Sequence, residues 1–376
     1  MDIRLDHTAM KTAYDRGIIN FGNIARMKRV MDKALSGKGI TVGFIGGSIT
    51  AGSLSSTPKK CYAYLVTSWW RDKFPEAIVS YINAGVGATT SQFGAARVDQ
   101  DLLCHGPDVI FAEFSVNDGN AEFFKETFEG LIRKILLYKT EPALFMFNNV
   151  FYDDGRNSQE IHNQVGRYYD LPIVSMKESI YAEIEKGTIL RERMTPDNLH
   201  PNDLGHELVA AVILNLLEEI YDAARKGSKD IDMVSSRPLT KNRYALATAW
   251  NNKNTNPTLH GFKKDMTVKA GCWDVFRDGW YAGHAGDSIN LSVQGAFLSV
   301  QYRKYVKHPA PEAKIVIDHE ESNAVILDAG FDETWGDCLY LKDIMVDVKP
   351  GMHTIEISAA KAVEGQDFYL AAIITA

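Results

Sequence analysis

Short apolar runs alternate with segments of helical periodicity between Gly39 and about Ala224. A buried parallel strand is a short continuous apolar run, whereas a covering helix repeats its apolar residues every three to four positions. Strands are therefore predicted at 40–45, 78–83, 109–114, 143–150 and 172–174, and helices at 62–74, 122–138, 158–169 and 203–224, the last with Asp203 as its N-cap. This order predicts a three-layer α/β/α domain over residues 39–228.

A different pattern follows a polar stretch that runs from Arg225 to Pro238. That stretch is too poor in apolar residues to form a packed element, so it predicts a domain boundary near residue 240. Beyond it, short β-prone runs separated by turn residues lie at 288–293, 297–302, 314–318, 324–327, 353–357 and 368–374. Such spacing predicts an antiparallel β-sandwich over residues 240–376. Residues 1–38 look helical, and the sequence does not say which domain they pack on.

Composition narrows the class of protein. The chain has 376 residues, 45% of them hydrophobic, which is enough for a full core and favours two domains. A formal net charge of −7 argues against nucleic acid as a partner, because phosphate binding needs clustered Lys and Arg. No run approaches ~20 apolar residues, so no membrane partner is expected. Oligomeric state stays open, a homo-oligomer included.

The N-terminus and the cysteines bear on the compartment. Residues Met1–Asp6 are charged from the second position and lack the apolar core of a secretory signal, which predicts a cytoplasmic location. The cysteines show neither a Cys-x-x-Cys pair nor clustering with His, so reduced thiols are expected, and neither a metal nor a redox pair. The disulfide state of Cys272 and Cys338 stays open.

The first predicted strand runs directly into Gly46-Gly47-Ser48. In an open parallel sheet, ligands bind outside the carboxyl ends of the strands. The two glycines allow a tight turn, which leaves the Ser48 amide free to face a developing oxyanion. By itself the tripeptide fits a plain turn or a helix N-cap equally well, so partners elsewhere must decide.

Further donors follow the next two strands. The second strand is followed by Gly85 and Gly87, either of which offers a backbone donor at the same edge, with Gly87 preferred. The third is followed by Asn117, whose side-chain amide would be the third donor. Both segments also fit ordinary turns.

A paired carboxylate and imidazole lie near the end of the same domain. Asp197 and His200 stand three apart in a loop flanked by Pro196 and Pro201. In that arrangement His200 would deprotonate Ser48, and Asp197 would hold the imidazole in the useful tautomer. Loop capping and metal ligation are the alternatives, although no third and fourth ligand stand at familiar spacing. A Ser-His-Asp triad that needs no cofactor is the stronger interpretation.

In this order, the blocks around Ser48, Gly87, Asn117 and His200 resemble the SGNH, or GDSL-type, hydrolase superfamily, over roughly residues 40–225. The resemblance implies a flavodoxin-like sheet. It also implies roles for individual residues: Ser48 as nucleophile and first oxyanion donor, Gly87 and Asn117 as the other donors, and Asp197 with His200 as the rest of the triad. Two departures, Gly47 where Asp is commonest and Ser115 where Gly is usual, mark a divergent branch without removing a catalytic atom.

The stretch Arg16–Asn23 and the C-terminal β-domain are similar to a subset of bacterial two-domain members thought to deacetylate carbohydrates. The β-domain resembles sandwich carbohydrate-binding modules of a jelly-roll-like kind, most nearly those fused to intracellular acetyl-mannan esterases. The resemblance therefore implies an acetylated manno- or xylo-oligosaccharide as the substrate, as in hemicellulose degradation.

Aromatic and polar residues of the β-domain are candidates for sugar contacts: Trp273, Asp274, Trp280, Tyr281 and Trp335. Sugars stack their apolar faces on aromatic rings and hydrogen-bond to charged side chains. Aromatics in a β-sandwich more often fill its core, so core packing is the alternative.

These features together predict a serine esterase that removes O-acetyl groups from carbohydrates through an acyl-enzyme. Two rivals stay open. One is a lysophospholipase, thioesterase or arylesterase that uses the same triad. The other is a glycan-binding protein whose hydrolase scaffold is catalytically silent.

Overall fold

The computed structural model describes residues 10–227, 231–232, 234–268 and 275–376. The chain forms two compact units, divided between Ala245 and Leu246. The residues that lead out of the first unit pack on its own surface: the backbone amides of Leu239 and Thr240 donate to Glu129, and Arg243 pairs with Glu126. The predicted domain bounds, 39–228 and 240–376, stay a prediction.

The first unit alternates helices and strands along the chain. The helices are α1 Lys11–Arg16, α2 Ala25–Leu35, α3 Ser48–Ala51, α4 Tyr62–Lys73, α5 Ser91–Asp101, α6 Glu122–Leu136, α7 Gln159–Tyr168, α8 Ala182–Glu185 and α9 Asp203–Arg225. The strands are β1 Ile18–Asn20, β2 Ile40–Gly46, β3 Val79–Gly85, β4 Val109–Glu113, β5 Ala143–Asn148 and β6 Ile173–Ser175. Each strand and helix predicted for this region has a counterpart among them.

The strand order of this sheet is β1-β6-β5-β4-β2-β3. Strands β2 to β6 pair in parallel, whereas β1 pairs antiparallel with β6 at the edge. The five parallel strands therefore follow the flavodoxin-like order. Because β2 lies between β3 and β4, the chain leaves β2 at the topological switch point, where ligands bind in such sheets.

Helices cover both faces of the sheet. On one face α1, α2, α4 and α9 pack around a core that includes Phe44, Tyr62, Trp70 and Phe111, all buried. The rings of Phe44 and Phe111 stack across neighbouring strands at 4.9 Å. On the other face α5, α6 and α7 pack side by side. The predicted three-layer α/β/α architecture is confirmed.

Three local features differ from the pattern-based predictions, each for a physical reason. Residues 1–38 are predicted to be helical, but β1 interrupts them, and three residues are too few to show a strand period. Helix α5 is not predicted, because it is buried on nearly all sides, Arg97 included, and so lacks an amphipathic pattern. Helix α9 does begin at Asp203, but its N-cap is Asn202, whose side chain accepts from the Gly205 amide.

The second unit consists of antiparallel strands. These are β7 Thr248–Trp250, β8 Thr258–His260, β9 Lys263–Lys264, β10 Trp280–Ala282, β11 Ser288–Gly295, β12 Leu298–Lys304, β13 Glu312–Ile317, β14 Val325–Asp328, β15 Cys338–Met345, β16 Gly351–Lys361 and β17 Phe368–Thr375. One sheet has the order β15-β12-β17-β10-β9 with β7 beside β17, and the other has the order β14-β13-β16-β11-β8. Both sheets contribute side chains to one core, among them Val300 and Ile373 from the first and Ile289 and Ile355 from the second. The predicted β-sandwich is confirmed.

Within the described ranges, every helix is too short or too polar to cross a lipid bilayer.

Candidate active site

Ser48 is the first residue of α3, at the point where β2 ends. The two glycines before it are required by close approach rather than by unusual dihedral angles. A Cβ on Gly46 would lie 2.6 Å from the carbonyl oxygen of Glu113, and a Cβ on Gly47 would lie 2.3 Å from Oδ1 of Asn117. The two glycines therefore pack closely against β4 and the turn that follows it, and a side chain at either position would clash there.

The three residues predicted as a triad lie in one hydrogen-bonded chain. Oγ of Ser48 is 2.8 Å from Nε2 of His200, and Nδ1 of His200 is 2.7 Å from Oδ2 of Asp197. Ser48 and Asp197 are 149 residues apart in sequence, but the segments that carry them meet at the carboxyl edge of the sheet. A serine in this arrangement can pass its proton to the imidazole, while the carboxylate stabilises the resulting cation.

Asp197 is held by its own loop. Its Oδ1 accepts from the backbone amides of Leu199 at 3.0 Å and His200 at 2.7 Å. Partial burial acts to raise the pKa of Asp197, but the hydrogen bonds from His200 and Leu199 outweigh it, and the pKa lies below its ordinary value. Asp197 is therefore ionised throughout the neutral range.

Asn198, the residue after Asp197, has a φ of +67°, which lets its carbonyl turn toward the loop after β5. There it accepts a 2.7 Å hydrogen bond from the Tyr152 amide. The loop that carries His200 is thus anchored to the loop after β5.

The backbone amides of Ser48 and of Gly87 have no hydrogen-bond partners among the described residues. A Cβ on Gly87 would lie 3.6 Å from the Ser48 Cβ, so this glycine faces the serine. The Gly85 amide instead donates to Oδ1 of Asn83 at 2.9 Å, and so is already occupied. The geometry thus favours Gly87 over Gly85 as the second donor.

Asn117 lies against the same turn, in contact with Gly47. Its backbone amide donates to the Phe114 carbonyl at 3.0 Å, which shapes the turn after β4. The next residue, Asp118, is buried and accepts from the Ser91 amide at 2.8 Å, and its Oδ2 lies 3.0 Å from Nε2 of His162. The segment that carries Asn117 is thereby tied to α5 and α7.

Arg97 of α5 is a supporting residue that the sequence analysis missed. Its buried guanidinium donates to the Ala84 carbonyl at 2.7 Å and to the Gly46 carbonyl at 3.2 Å. It therefore links the ends of β2 and β3, which carry Ser48 and Gly87. An arginine within the otherwise uncharged run 91–98 was the available signal.

His206 of α9 supports the loop that follows Ser48. It is fully buried, its Nε2 donates to the Ser53 carbonyl at 3.2 Å, and its Nδ1 accepts from the Tyr62 amide at 3.3 Å. Burial lowers the pKa of His206 to about 4, against the raising effects of the Ser53 carbonyl and of Asp203. His206 is therefore neutral at neutral pH.

The depressed pKa of His206 predicts an acid-side loss of stability. Protons bind more tightly to the unfolded chain, so the stabilisation is complete above the ordinary pKa of 6.5 and is lost as the pH falls through about 4. We expect the unfolding free energy to fall by about 3 kcal/mol across that window. Urea denaturation at pH 7 and pH 4 should show a smaller change for His206→Gln than for the wild type. The same substitution at the exposed His105 is the control, and an equal change in both variants would contradict the assignment.

The residues predicted to contact sugar lie in different surroundings where the structure describes them. Trp273 and Asp274 lie outside the described residues, as does Cys272. The prediction of Trp280 as a sugar-contact residue is corrected by its burial. It lies in the β-sandwich core, where every face of its indole is packed. Trp335 is 60% exposed and packs edge-on against Phe331.

Tyr281, by contrast, lines a cleft of about 330 Å³ in the second unit. Arg303, Tyr305 and Asp367 line the same cleft, and none of them was singled out from the sequence. Among the described residues, no group of three His, Cys, Asp or Glu is placed to hold a metal ion. Cys61, Cys104 and Cys338 form no disulfide among the described residues.

Fold and site together define a class: flavodoxin-like α/β proteins that pair a serine at the sheet's switch point with an Asp-His dyad. The GDSL-like Lipase/Acylhydrolase family profile matches residues 44–208. A crystal structure of a two-domain esterase active on acetylated mannans, co-crystallized with mannopentaose, is similar with a TM-score of 0.90 and 47% identity, covering 96% of this chain and 97% of that one. The chain belongs to the GDSL-like lipase/acylhydrolase family.

Two curated relatives each match about half of the chain. Thioesterase 1/protease 1/lysophospholipase L1 of Escherichia coli is 26% identical over 191 residues, which cover 48% of this chain and 85% of that protein. The acetylxylan esterase of Geobacillus stearothermophilus is 23% identical over 207 residues, which cover 47% of this chain and 94% of that protein.

Proposed function

We propose that this protein is a serine esterase that removes O-acetyl groups from carbohydrates, with Ser48, Asp197 and His200 as its catalytic triad. The observation that carries the proposal is the unbroken chain from Oγ of Ser48 through His200 to Asp197, with distances of 2.8 Å and 2.7 Å. Two unpaired amides and the Asn117 side chain surround the same serine. Stable packing of the fold would not require the triad and these donors to meet at one serine.

Acylation begins when Oγ of Ser48 attacks the acetyl carbonyl carbon and its proton moves to Nε2 of His200. The carbonyl oxygen becomes an oxyanion, which the amides of Ser48 and Gly87 and the Asn117 side chain stabilise. Collapse breaks the ester bond, and His200 returns the proton to the sugar oxygen, which leaves as a hydroxyl. The acetyl group stays on Ser48.

Deacylation repeats the same steps with water. His200 takes a proton from the water, the hydroxide attacks the acetyl-serine carbonyl, and the second oxyanion occupies the same donors. Collapse releases acetate and returns the proton to Ser48. Asp197 stays ionised throughout and holds the imidazole with Nδ1–H directed at its carboxylate.

The substrate class rests on the relative that matches both units. That esterase is active on acetylated mannans and is 47% identical over 96% of this chain. Acetylated manno-oligosaccharides are therefore the proposed substrate, with acetylated xylo-oligosaccharides next. The cleft beside Tyr281, with its tyrosine rings and charged groups, is a candidate for sugar contacts. A carbohydrate-binding role of the second unit and a cytoplasmic location stay predictions.

Acetate release tests the proposal directly. The purified protein should release acetate from acetylated manno-oligosaccharides, detected by proton NMR, and Ser48→Ala should not. Acetylated xylo-oligosaccharides, an aryl acetate, a long-chain acyl thioester and a lysophospholipid serve as competing substrates. Faster cleavage of the two long-chain substrates than of any acetylated sugar would replace the carbohydrate proposal with the lipid or thioester alternative.

A further inference from the structure

Glu113, the last residue of β4, lies between the parts of the site and takes no part in the proposed acylation and deacylation steps. Its side chain is buried, with 1% of the residue exposed. Its backbone pairs with Gly46, two residues before Ser48, and it stands four residues before Asn117. A carboxyl at this position is therefore placed to affect both the nucleophile turn and the turn that carries Asn117.

The two oxygens of this carboxyl have different surroundings. Oε1 accepts both donors of Ser115, the backbone amide at 2.7 Å and the hydroxyl at 2.7 Å. Oε2 is buried and has no hydrogen-bond partner among the described residues. An ionised carboxylate spreads its charge over both oxygens, and burying a charged oxygen without a donor is costly.

Among the described residues, no Lys or Arg forms an ion pair with Glu113. The titratable groups whose electrostatic effects involve Glu113 include Tyr62 on α4, Tyr152 in the loop after β5, and His162 on α7, which acts to lower the pKa of Glu113. Burial raises the pKa of both phenols, so they are neutral at neutral pH. The Nε2 atom of His162 is directed at Asp118 and lies 3.0 Å from its Oδ2.

Asn149 supplies the missing partner. Both polar atoms of its side-chain amide are buried and lack partners among the described residues, and the amide is next to Glu113. Its amide nitrogen, as a hydrogen-bond donor, acts to lower the pKa of the carboxyl, whereas its amide oxygen can accept a hydrogen only from a protonated Oε2. A proton on Oε2 would thus give the buried amide oxygen of Asn149 the donor that it lacks.

We infer that Glu113 is a neutral carboxylic acid at neutral pH, protonated on Oε2, and that it is a positioning residue for the turn that presents Asn117. Oε1 accepts the two Ser115 donors, and the Ser115 carbonyl in turn accepts from the Ser158 amide at 2.7 Å. Burial, the largest influence, raises the pKa of Glu113 against the lowering effects of Ser115, Asn149 and His162. The effect on turnover rests on the proposed esterase function, whereas the protonation state does not.

The pH dependence of stability tests the protonation state. A carboxyl with a raised pKa holds its proton more tightly when folded, so its contribution is lost as the pH rises above the ordinary value of 4.5. The side-chain amide of Glu113→Gln keeps an acceptor in place of Oε1 and a donor in place of the protonated Oε2, but it cannot ionise. The melting temperature of this variant minus that of the wild type should therefore rise from pH 5 upward, by about 3 °C per pH unit while Glu113 stays protonated in the fold.

Glu129 is the matched control, because hydrogen bonds from Thr240, Tyr169 and Leu239 outweigh its burial and hold its pKa below the ordinary value. Its carboxylate is stabilised by folding, so Glu129→Gln should be destabilised and should gain nothing as the pH rises from 5 to 9. If Glu113→Gln behaves like Glu129→Gln, Glu113 is ionised and the inference is wrong. An infrared carbonyl band of a protonated carboxyl at pH 7, present in the wild type and absent from Glu113→Gln, is the direct observation.

Kinetics test the positioning role. Glu113→Leu should lower kcat at least about tenfold with KM within about twofold, because only transition-state stabilisation is disturbed. Glu113→Gln should restore most of that loss. In an Asn117→Ala background, Glu113→Leu should lower kcat little further, since both changes remove the same oxyanion donor. An equal cost in both backgrounds would overturn the positioning role.

Two failures are distinguishable. A wild type that hydrolyses no ester would refute the proposed function, while the melting and infrared measurements would still decide the state of Glu113. If Glu113→Leu does not fold, Ser115→Ala removes one of the two Oε1 donors with a smaller change of volume and replaces it in the kinetic cycle.

Discussion

Ser48→Ala and His200→Ala should each lower kcat on an acetylated oligosaccharide by about 10⁴–10⁶-fold, the loss typical of a missing nucleophile or base. The alanine at position 48 leaves no oxygen to form the acyl-enzyme. The alanine at position 200 leaves the Ser48 hydroxyl, whose only side-chain partner among the described residues is His200, without a base. Initial rates of acetate release at saturating substrate measure both losses.

The double variant supplies the stricter test. Because the two residues act as one unit, Ser48→Ala combined with His200→Ala should be no slower than either single variant. Both side chains lie at the start of a short helix or in a loop, so cooperative unfolding should be retained. Full activity of either folded variant would show that the serine and imidazole meet for another reason.

Asn117→Ala should lower kcat by about 10²–10³-fold, equivalent to about 2.7–4 kcal/mol of transition-state stabilisation. The side chain lies beside Gly47, where the oxygen of an acyl group attacked by Ser48 would develop its charge. The substrate's ground-state carbonyl gains less from this donor, so KM should change little.

Asn215 offers a control of the same residue type. It lies on α9, and its side chain donates to Asp15 at 3.0 Å at an exposed site. Asn215→Ala should leave kcat and KM unchanged. A drop in kcat of less than about threefold for Asn117→Ala, with the fold intact, would remove Asn117 from the oxyanion site.

The choice of the second oxyanion donor shows where sequence reasoning reached its limit. Gly85 and Gly87 stand two apart after the same strand, and nothing in their local sequence separates them. In the fold, the side chain of Asn83 accepts from the Gly85 amide and leaves the Gly87 amide unpaired. A side-chain hydrogen bond, which no periodicity reports, makes the difference.

Buried polar residues were a second limit. Arg97 and Glu113 occupy positions where pattern analysis expects apolar side chains, so neither was recognised as part of the site's support. Arg97 is buried because it bonds the carbonyls at the ends of two strands. Trp280 shows the opposite error, because it was predicted to contact sugar and lies in the core. The sequence of a short strand does not tell whether an aromatic residue faces the core or a ligand.

The sequence by itself determined the layers of both units, the order of the motifs and the residue types that meet at Ser48, because apolar periodicity and glycine turns are local properties of the chain. Only the tertiary structure decided which glycine amide has no hydrogen-bond partner, which tryptophan is buried and which carboxyl oxygen is buried without a donor. Those outcomes depend on hydrogen bonds and packing between segments far apart in sequence, such as the bond between Ser48 and His200 across 152 positions.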